Sequence, residues 1–289
     1  MSRDVQQAKE ALGARLREIR KDAGLSGRDL ASQAGWHFTK VSKLENGRQN
    51  PSDEDVRTWC LRCSADREIP DLIASLRNIE SMYVEWRRQT RAGLKRPQKA
   101  KIPVYGRTKL FRIYEPALIP GLLQTAEYAT AVMKHFIAFH DIPDDLDQAV
   151  AVRLERQRVL YSGDRRFLIV LEQQALRTRV GDSETMAGQF DRLMTLMSLH
   201  RLSLGIIPSS AERHTWPSAG FWIFDDALVQ VETVTAELSV TQHREVAVYA
   251  QRFGLLQRSA VYGQDARALI AEALAEVATT SLSNLAQHP

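Results

Sequence analysis

Apolar residues recur at helical spacing at the start of the chain. Leu12, Leu16, Ile19 and Ala23 lie four, three and four positions apart, with Arg and Glu between them. This pattern predicts one amphipathic helix, which a glycine at position 24 ends.

Two short helices are predicted next from their cap residues. Ser26 with Asp29 three positions later forms a capping box that opens the second helix, and Gly35 breaks the chain in a tight turn. A third helix runs from about His37 to Glu45. Asn46-Gly47 closes it with two residues that tolerate positive φ.

A fourth helix, a longer helix and a basic stretch follow. Ser52, with Asp55 reaching back, starts the fourth helix, and a longer helix is predicted from Asp71 to Thr90. Arg87 to Lys101 contains seven basic residues and no acidic one, with a glycine and a proline inside it. The composition predicts a linker, and whether it lies along a polyanion or is only a solvated tether stays open.

Beyond the basic stretch, short β-like runs alternate with helical patterns. The predicted strands are Leu110–Tyr114, Phe167–Leu171, Leu202–Ile207, Gly220–Phe224 and Leu228–Glu232. The predicted helices lie near Leu122–Ala138, Leu146–Tyr161, Thr185–His200, Val240–Gln257 and Gln264–Ala278. We expect a multidomain protein with an all-α helix-turn-helix domain at 1–78, a helical basic linker at 79–101 and an α+β domain at 102–289.

Charge separates the two parts of the chain. Residues 1–101 hold 21 Lys and Arg against 14 Asp and Glu, a net charge of +7, and the remaining residues carry a net −3. The basic part is therefore the candidate for binding a polyanion such as double-stranded DNA.

No targeting or membrane segment is expected. Met1 to Glu10 are polar and of mixed charge, unlike a signal peptide, and no window approaches the ~18 apolar residues of a membrane span. Cys60 and Cys63 give no disulfide framework. We expect a cytoplasmic protein that does not associate with membranes.

Catalytic and metal-binding patterns are not recognised in the sequence. A Cys-x-x-Cys alone does not supply the four ligands of structural zinc, and cysteines three apart on a helix are more typical of small core residues. The seven histidines lie outside any HExxH, GxSxG or Walker pattern. We therefore expect no enzyme activity, no metal and no cofactor.

The third helix has the features of a DNA-reading helix. On a helical wheel Val41 and Leu44 share one face, whereas Thr39 and Lys43 lie on the opposite face with Ser42 on its flank. Thr offers a hydroxyl and a methyl to thymine, and Lys donates to guanine acceptors in the major groove.

The stretch with Leu30-Ala31, Gly35, Val41–Gly47 and Pro51 resembles lambda-repressor-like regulators of the xenobiotic-response-element (XRE) family. The resemblance implies that Phe38, Thr39 and Lys43 read bases, and the helical wheel adds Ser42 to this set. The resemblance also implies phosphate contacts from Gly27, Arg28, Lys40, Asn46 and Arg48, and an orienting ion pair between Arg20 and Glu45. Phe38 departs from the usual polar residue, and it either presses on a thymine methyl or packs inward.

The segment Tyr114–Thr125 is similar to a signature of actinobacterial developmental regulators of the WhiJ type. This similarity implies a repressor whose C-terminal domain, of unknown function, partners a small protein encoded nearby. In a second interpretation Gly121 starts a helix and the segment's leucines are core residues, and we favour this structural role over a ligand site.

Taken together, the patterns predict a sequence-specific transcription regulator. We expect a repressor that binds a two-fold related operator as a homodimer and is controlled through its C-terminal domain by a small partner protein or ligand. One alternative is an antitoxin-like module that binds a small partner protein and regulates its own synthesis. The other is a small-molecule sensor with a pocket around Glu172 or His214.

Overall fold

The computed structural model describes residues 3–287, with the backbone alone described at 3–5, 7, 74, 77–85, 87 and 280–287. The chain divides into two compact units, Met1–Val84 and Glu85–Pro289. Each unit has its own buried apolar residues.

The first unit is all-helical. Its elements are α1 (Arg3–Asp22), α2 (Gly27–Ala34), α3 (Phe38–Glu45), α4 (Asp53–Arg62), a 3₁₀ turn (Asp66–Glu68) and α5 (Ile69–Met82). The apolar faces meet in a core that contains Leu16, Leu30, Leu44 and Trp59. The indole N–H of Trp59 donates to the carbonyl of Leu16 at 3.0 Å, so this large side chain is buried with its polar atom satisfied.

The predicted caps of the first unit are confirmed, with one exception. Ser26 and Ser52 each form a capping box, and Gly35 ends α2 with φ +66°. Asn46 keeps a negative φ of −98°, so only Gly47, at φ +62°, has the left-handed backbone that the sequence assigned to both residues. A Cβ on Gly47 would lie 2.9 Å from backbone atoms of α1, which also favours glycine there.

The long helix predicted to Thr90 is wrong at its C-terminal end. After α5 the chain forms a short strand, β1 (Tyr83–Glu85), and then a single turn, α6 (Trp86–Gln89). The backbone N–H of Trp86 donates to Thr235 and its indole N–H to Thr233. These bonds to a distant strand connection replace the bonds that would have continued the helix.

Six strands lie wholly within the second unit. They are β2 (Leu110–Glu115), β3 (Arg166–Glu172), β4 (Leu202–Ile207), β5 (Phe221–Phe224), β6 (Leu228–Glu232) and β7 (Ala236–Val240), in the order β7-β6-β5-β2-β3-β4. β2 and β3 pair in parallel, as do β3 and β4, and the other pairs are antiparallel. The five predicted strands are confirmed, and β7 was missed.

Helices surround this mixed sheet. They are α7 (Lys95–Ala100), α8 (Ile102–Arg107), α9 (Ala126–His140), α10 (Leu146–Arg156) with a 3₁₀ turn (Gln157–Leu160), α11 (Gln173–Arg177), α12 (Ser183–Leu196), α13 (His243–Arg258) and α14 (Gly263–Gln287). The core contains the stacked rings of Phe111 and Phe167, with centroids 4.7 Å apart. The predicted α+β class of the second unit is confirmed.

The predicted helix start at Gly121 is wrong, because α9 begins five residues later, at Ala126, with Thr125 as its N-cap. Two buried glutamines satisfy the backbone of the intervening turn. Gln157 donates to the carbonyls of Gly121 and Gln124, and Gln189 bonds the carbonyl of Leu123 and the N–H of Thr125. These side chains hold the segment as a turn that a local pattern does not reveal.

The basic stretch is packed onto the second unit around α7. Leu94, Pro97 and Gln98 are buried. The carboxylate of Asp145 accepts hydrogen bonds from the N–H groups of Leu94 and Lys95, each at 2.7 Å. This part of the predicted linker is therefore ordered, and several of its basic residues belong to or flank a helix that packs on the second unit.

Candidate nucleic-acid interface

The outer face of α3 carries the predicted base-reading side chains. Val41 and Leu44 are buried against the core, whereas Ser42 and Lys43 are exposed and Thr39 is half-buried. Phe38 is 56% exposed, which excludes the inward packing that the sequence left open. The helix thus presents an apolar ring, two hydroxyls and one ammonium group to its surroundings.

The first turn of α3 is fixed by His37, which the sequence did not identify as a cap. Its Nδ1 lies 3.4 Å from the N–H of Thr39 and 2.8 Å from the hydroxyl oxygen of Thr39. The Thr39 hydroxyl is therefore held by a neighbour at the start of the helix, and the His37 and Phe38 rings lie 4.9 Å apart.

A buried carboxylate anchors the other end of α3. Glu45 forms the predicted ion pair with Arg20, with Nε to Oε1 at 2.6 Å and Nη2 to Oε2 at 3.1 Å. Arg17 adds a bond to the same carboxylate at 3.1 Å and one to the Asn46 side chain at 2.8 Å. Arg17 was missed, although it lies one turn before Arg20 on the same helix.

A glycine on α1 permits this anchoring. A Cβ at Gly13 would lie 2.6 Å from the carbonyl oxygens of both Leu44 and Glu45. Real Cβ atoms do not approach backbone oxygens so closely, so any side chain at this position would push the end of α3 outward. At Gly13 the backbone of α1 therefore packs directly against the backbone at the end of α3.

The predicted phosphate-binding residues lie in different settings. Arg28 and Arg48 are exposed, and Gly27 is the first residue of α2. The N–H of Asn46 donates to the Ser42 carbonyl, so this backbone amide is already used at the helix end. These positions leave Arg28 and Arg48 as the accessible cations of the predicted set.

Lys40 is bound within the unit. Its Nζ lies 2.6 Å from Oδ1 of Asp55 and 4.5 Å from the centre of the Trp36 ring. Although burial opposes the shift, the hydrogen bond from Lys40 and bonds from Ser52 lower the pKa of the Asp55 carboxyl. The Lys40 charge therefore supports the fold here, because forming a phosphate contact would compete with this pair.

An open groove extends the basic surface beyond α3. Arg17, Arg20, Lys21 and Arg28 line it together with Phe38, Ser42 and Asn46. Its cations come from the end of α1 and the start of α2, and the sequence assigned only Arg20 and Arg28 among them. The groove joins the outer face of α3 to a positive surface suited to a polyanion.

The cysteines and Glu172 are buried within their own units. Cys60 and Cys63 are free and buried, and burial raises the pKa of Cys60 to about 11. Among the described residues no group of three or more His, Cys, Asp or Glu has the arrangement to hold a metal. The Glu172 carboxylate accepts hydrogen bonds from the Tyr114 hydroxyl and from both terminal nitrogens of Arg213, while the His214 side chain is exposed. The Glu172 carboxylate therefore has its partners within the fold, and the alternative of a sensor pocket around Glu172 or His214 stays a prediction.

Comparison with known families defines the class of protein. Residues 11–72 match the helix-turn-helix domain, in agreement with the helices and the outward face described above. The protein is a helix-turn-helix DNA-binding regulator. Residues 107–272, more than half of the chain, match a domain of unknown function, and the chain belongs to this DUF5753 family.

Other comparisons add no functional argument. No curated protein shows significant similarity to the sequence. The chain is similar to TrmBL2, described as an archaeal chromatin protein with a novel mode of DNA binding, at 12% identity over 83% of this chain and 88% of that one, with a TM-score of 0.32. A TM-score this low carries no argument about fold. Among the described residues no helix is long and apolar enough to cross a membrane.

Proposed function

We propose that the protein is a cytoplasmic repressor of the WhiJ-like actinobacterial group that reads double-stranded DNA with α3. The observation that carries the proposal is the exposed row of Phe38, Thr39, Ser42 and Lys43 on a helix anchored at Glu45. In helix-turn-helix proteins the second helix of the motif, here α3, enters the major groove and its outward residues contact base edges. Lys43 then donates to guanine, and Phe38 and Thr39 contact thymine methyl groups.

The proposed regulator acts as a dimer on a two-fold related site. One helix-turn-helix domain contacts few base pairs, and doubling the half-site supplies the specificity that a genome requires. The second unit is the proposed dimerisation and control domain, through which a small partner protein or ligand acts.

Changing Lys43 to alanine is expected to weaken specific binding by about 1–3 kcal/mol and to relax preference at one base pair. The operator is first selected from genomic fragments with the full chain, and both proteins are then titrated at one salt concentration. Arg62→Gln is the control, because Arg62 is exposed at the end of α4 and does not belong to the predicted reading helix. Unchanged affinity and base preference in the Lys43 variant would show that α3 does not read bases through this face.

Neutralising a phosphate-binding arginine is expected to change salt dependence without changing sequence preference. Arg28→Gln and Arg48→Gln should each lower the slope of log K against log salt by about 0.9. The Arg88→Gln/Arg91→Gln double variant tests the basic stretch, because both side chains are exposed. A wild-type slope in all three variants contradicts the proposed phosphate contacts.

The full-length protein is expected to sediment as a dimer in the absence of DNA. A dimer presents two reading helices together, so that binding of one half-site raises the local concentration of the second. Sedimentation velocity at micromolar concentration, alone and with operator, measures this. A monomer in both conditions would contradict the proposal that the protein acts as a dimer.

A further inference from the structure

A cavity of about 120 Å³ lies in the second unit. Its walls come from α7 and α8, from α9 and α10, from the end of β2 and the turn that follows it, and from β5 and β6. A volume of this size holds several water molecules, and therefore a small organic molecule.

Arg156 supplies an unsatisfied buried cation to this cavity. The residue is only 6% exposed, and Nη2 donates to Oε1 of Gln98 at 2.5 Å. Its Nε and Nη1 are buried and have no hydrogen-bond partner. The guanidinium lies 5.0 Å from the centre of the Tyr105 ring, which holds it in place without using those donors.

A second arginine lines the same cavity. Arg153 donates to the side-chain oxygens of Gln124, at 2.7 Å, and Gln98, at 3.4 Å, both of which are neutral. Burial and the neighbouring charge of Arg156 lower the pKa of Arg153 to about 10. In the part of the chain described, no carboxylate pairs with either arginine. Buried cations usually have a counter-ion, because leaving one unpaired costs several kcal/mol.

The carboxylates around the cavity only partly offset these two cations, because Glu232 attracts Arg153 and Arg156 but is itself bonded to Lys101. Glu115 accepts from the indole N–H of Trp222 at 2.7 Å, and burial raises the pKa of Glu115 to about 8, so it is mostly protonated at neutral pH. Glu232 and Glu237 lie 2.8 and 2.7 Å from the ammonium of Lys101. Lys101, Arg153 and Arg156 thus carry three positive charges against the two negative charges of Glu232 and Glu237, which leaves one positive charge in excess.

We propose that this cavity binds a small organic anion, with its carboxylate or phosphate group on Arg153 and Arg156. The free Nε and Nη1 of Arg156 lie on different edges of the guanidinium, and each can donate a charged hydrogen bond to an oxyanion. The apolar part of the molecule lies against Leu118, Ile119 and Val132, which line the same space. The site belongs to the second unit alone and does not depend on the proposed DNA reading.

Part of the segment Tyr114–Thr125 lines the cavity. The sequence favoured a purely structural role for it, yet Glu115, Gln124 and the run 118–121 line the cavity. The signature therefore forms one wall of the proposed ligand site, while Leu122 and Leu123 are buried core residues, as expected.

The test is calorimetric titration of the full chain with four probes, namely inorganic phosphate, phenyl phosphate, acetate and benzoate, at constant ionic strength in chloride. At least one probe is expected to bind, and the comparison of phosphates with carboxylates identifies the head group. Arg156→Gln and Arg153→Gln should each weaken binding by about tenfold or more, because each removes charged hydrogen bonds. Arg158→Gln is the matched control, since Arg158 is exposed just beyond α10.

Hydrogen exchange of α10 checks that each variant is folded. If Arg156→Gln does not fold, the anion affinity of Arg153→Gln is the test of the proposal. Arg156→Met should melt no lower than the wild type without a probe, because it removes an unpaired buried charge. Equal probe affinity in wild type and folded variants overturns the proposal, since binding would then lie elsewhere on the basic surface. Absence of binding by all four probes, with no small molecule retained in native mass spectrometry, shows a water-filled cavity and overturns it as well.

Discussion

Replacing Glu45 with alanine is expected to destabilise the first unit by about 3–5 kcal/mol, the range for removing one partner of a buried ion pair. The side chain of Glu45 is 8% exposed and that of Arg20 is 12% exposed, so the arginine left behind keeps little contact with water. Arg17 loses its ion-pair partner too and keeps its hydrogen bond to Asn46. Hydrogen exchange in the peptides of α1 to α3 measures the change separately from the second unit.

The control for Glu45 is Glu18→Ala. Glu18 pairs with Arg15 three residues before it, and both side chains are largely exposed. Exposed pairs contribute about 0–1 kcal/mol, so exchange should stay near the wild-type rate. If Glu45→Ala changes exchange no more than Glu18→Ala, the carboxylate does not anchor α3. Operator binding should fall in parallel with the stability of α3, because this helix carries the reading residues.

Replacing Glu172 with alanine should destabilise the second unit by a similar amount, about 3–5 kcal/mol. Glu172 is 5% exposed and accepts from the Tyr114 hydroxyl at 2.9 Å and from two nitrogens of Arg213 at 2.7 Å each. Burial, together with the hydrogen bond to Glu172, raises the pKa of Tyr114 above its ordinary value. Without the carboxylate, a buried hydroxyl and a guanidinium lose their acceptor at the ends of β2 and β3.

Calorimetric melting and exchange of the β2 and β3 peptides measure this effect. Glu272→Ala is the matched control, since its pair with Arg177 lies on the surface. The control should melt within a few degrees of the wild type, because a surface pair contributes about 0–1 kcal/mol. Equal melting of the two variants would mean that the Glu172 cluster contributes no more than a surface pair.

The helix-turn-helix region follows closely from its sequence because its determinants are local. The capping boxes at Ser26 and Ser52 need residues only three positions apart, and the α3 wheel separates Val41 and Leu44 from Lys43 within two turns. Even the Arg20–Glu45 pair was accessible, through a family resemblance rather than through spacing. In contrast, the Lys40–Asp55 pair joins two helices, and no pattern within either one predicts it.

The second unit shows why the remainder was not predictable. The turn before α9 is set by Gln157 and Gln189, which lie more than thirty positions away along the chain. Likewise the cavity collects side chains from eight separate segments, so the charge imbalance at Arg153 and Arg156 exists only in the folded unit. Strand β7 was missed because its short Ala-Glu-Leu-Ser-Val run carries an acid that β6 and Lys101 accommodate.

The close approach at Gly13 has a consequence for protein engineering. Because the backbone of α1 sets the position of the α3 C-terminus, the frame of the reading helix does not depend on which side chains α3 presents outward. Residues 38, 39, 42 and 43 are accordingly a cassette that can be randomised in a selection for new operators, while Gly13, Arg20 and Glu45 are kept constant. The same reasoning identifies Gly13 as the position that such a library must leave untouched.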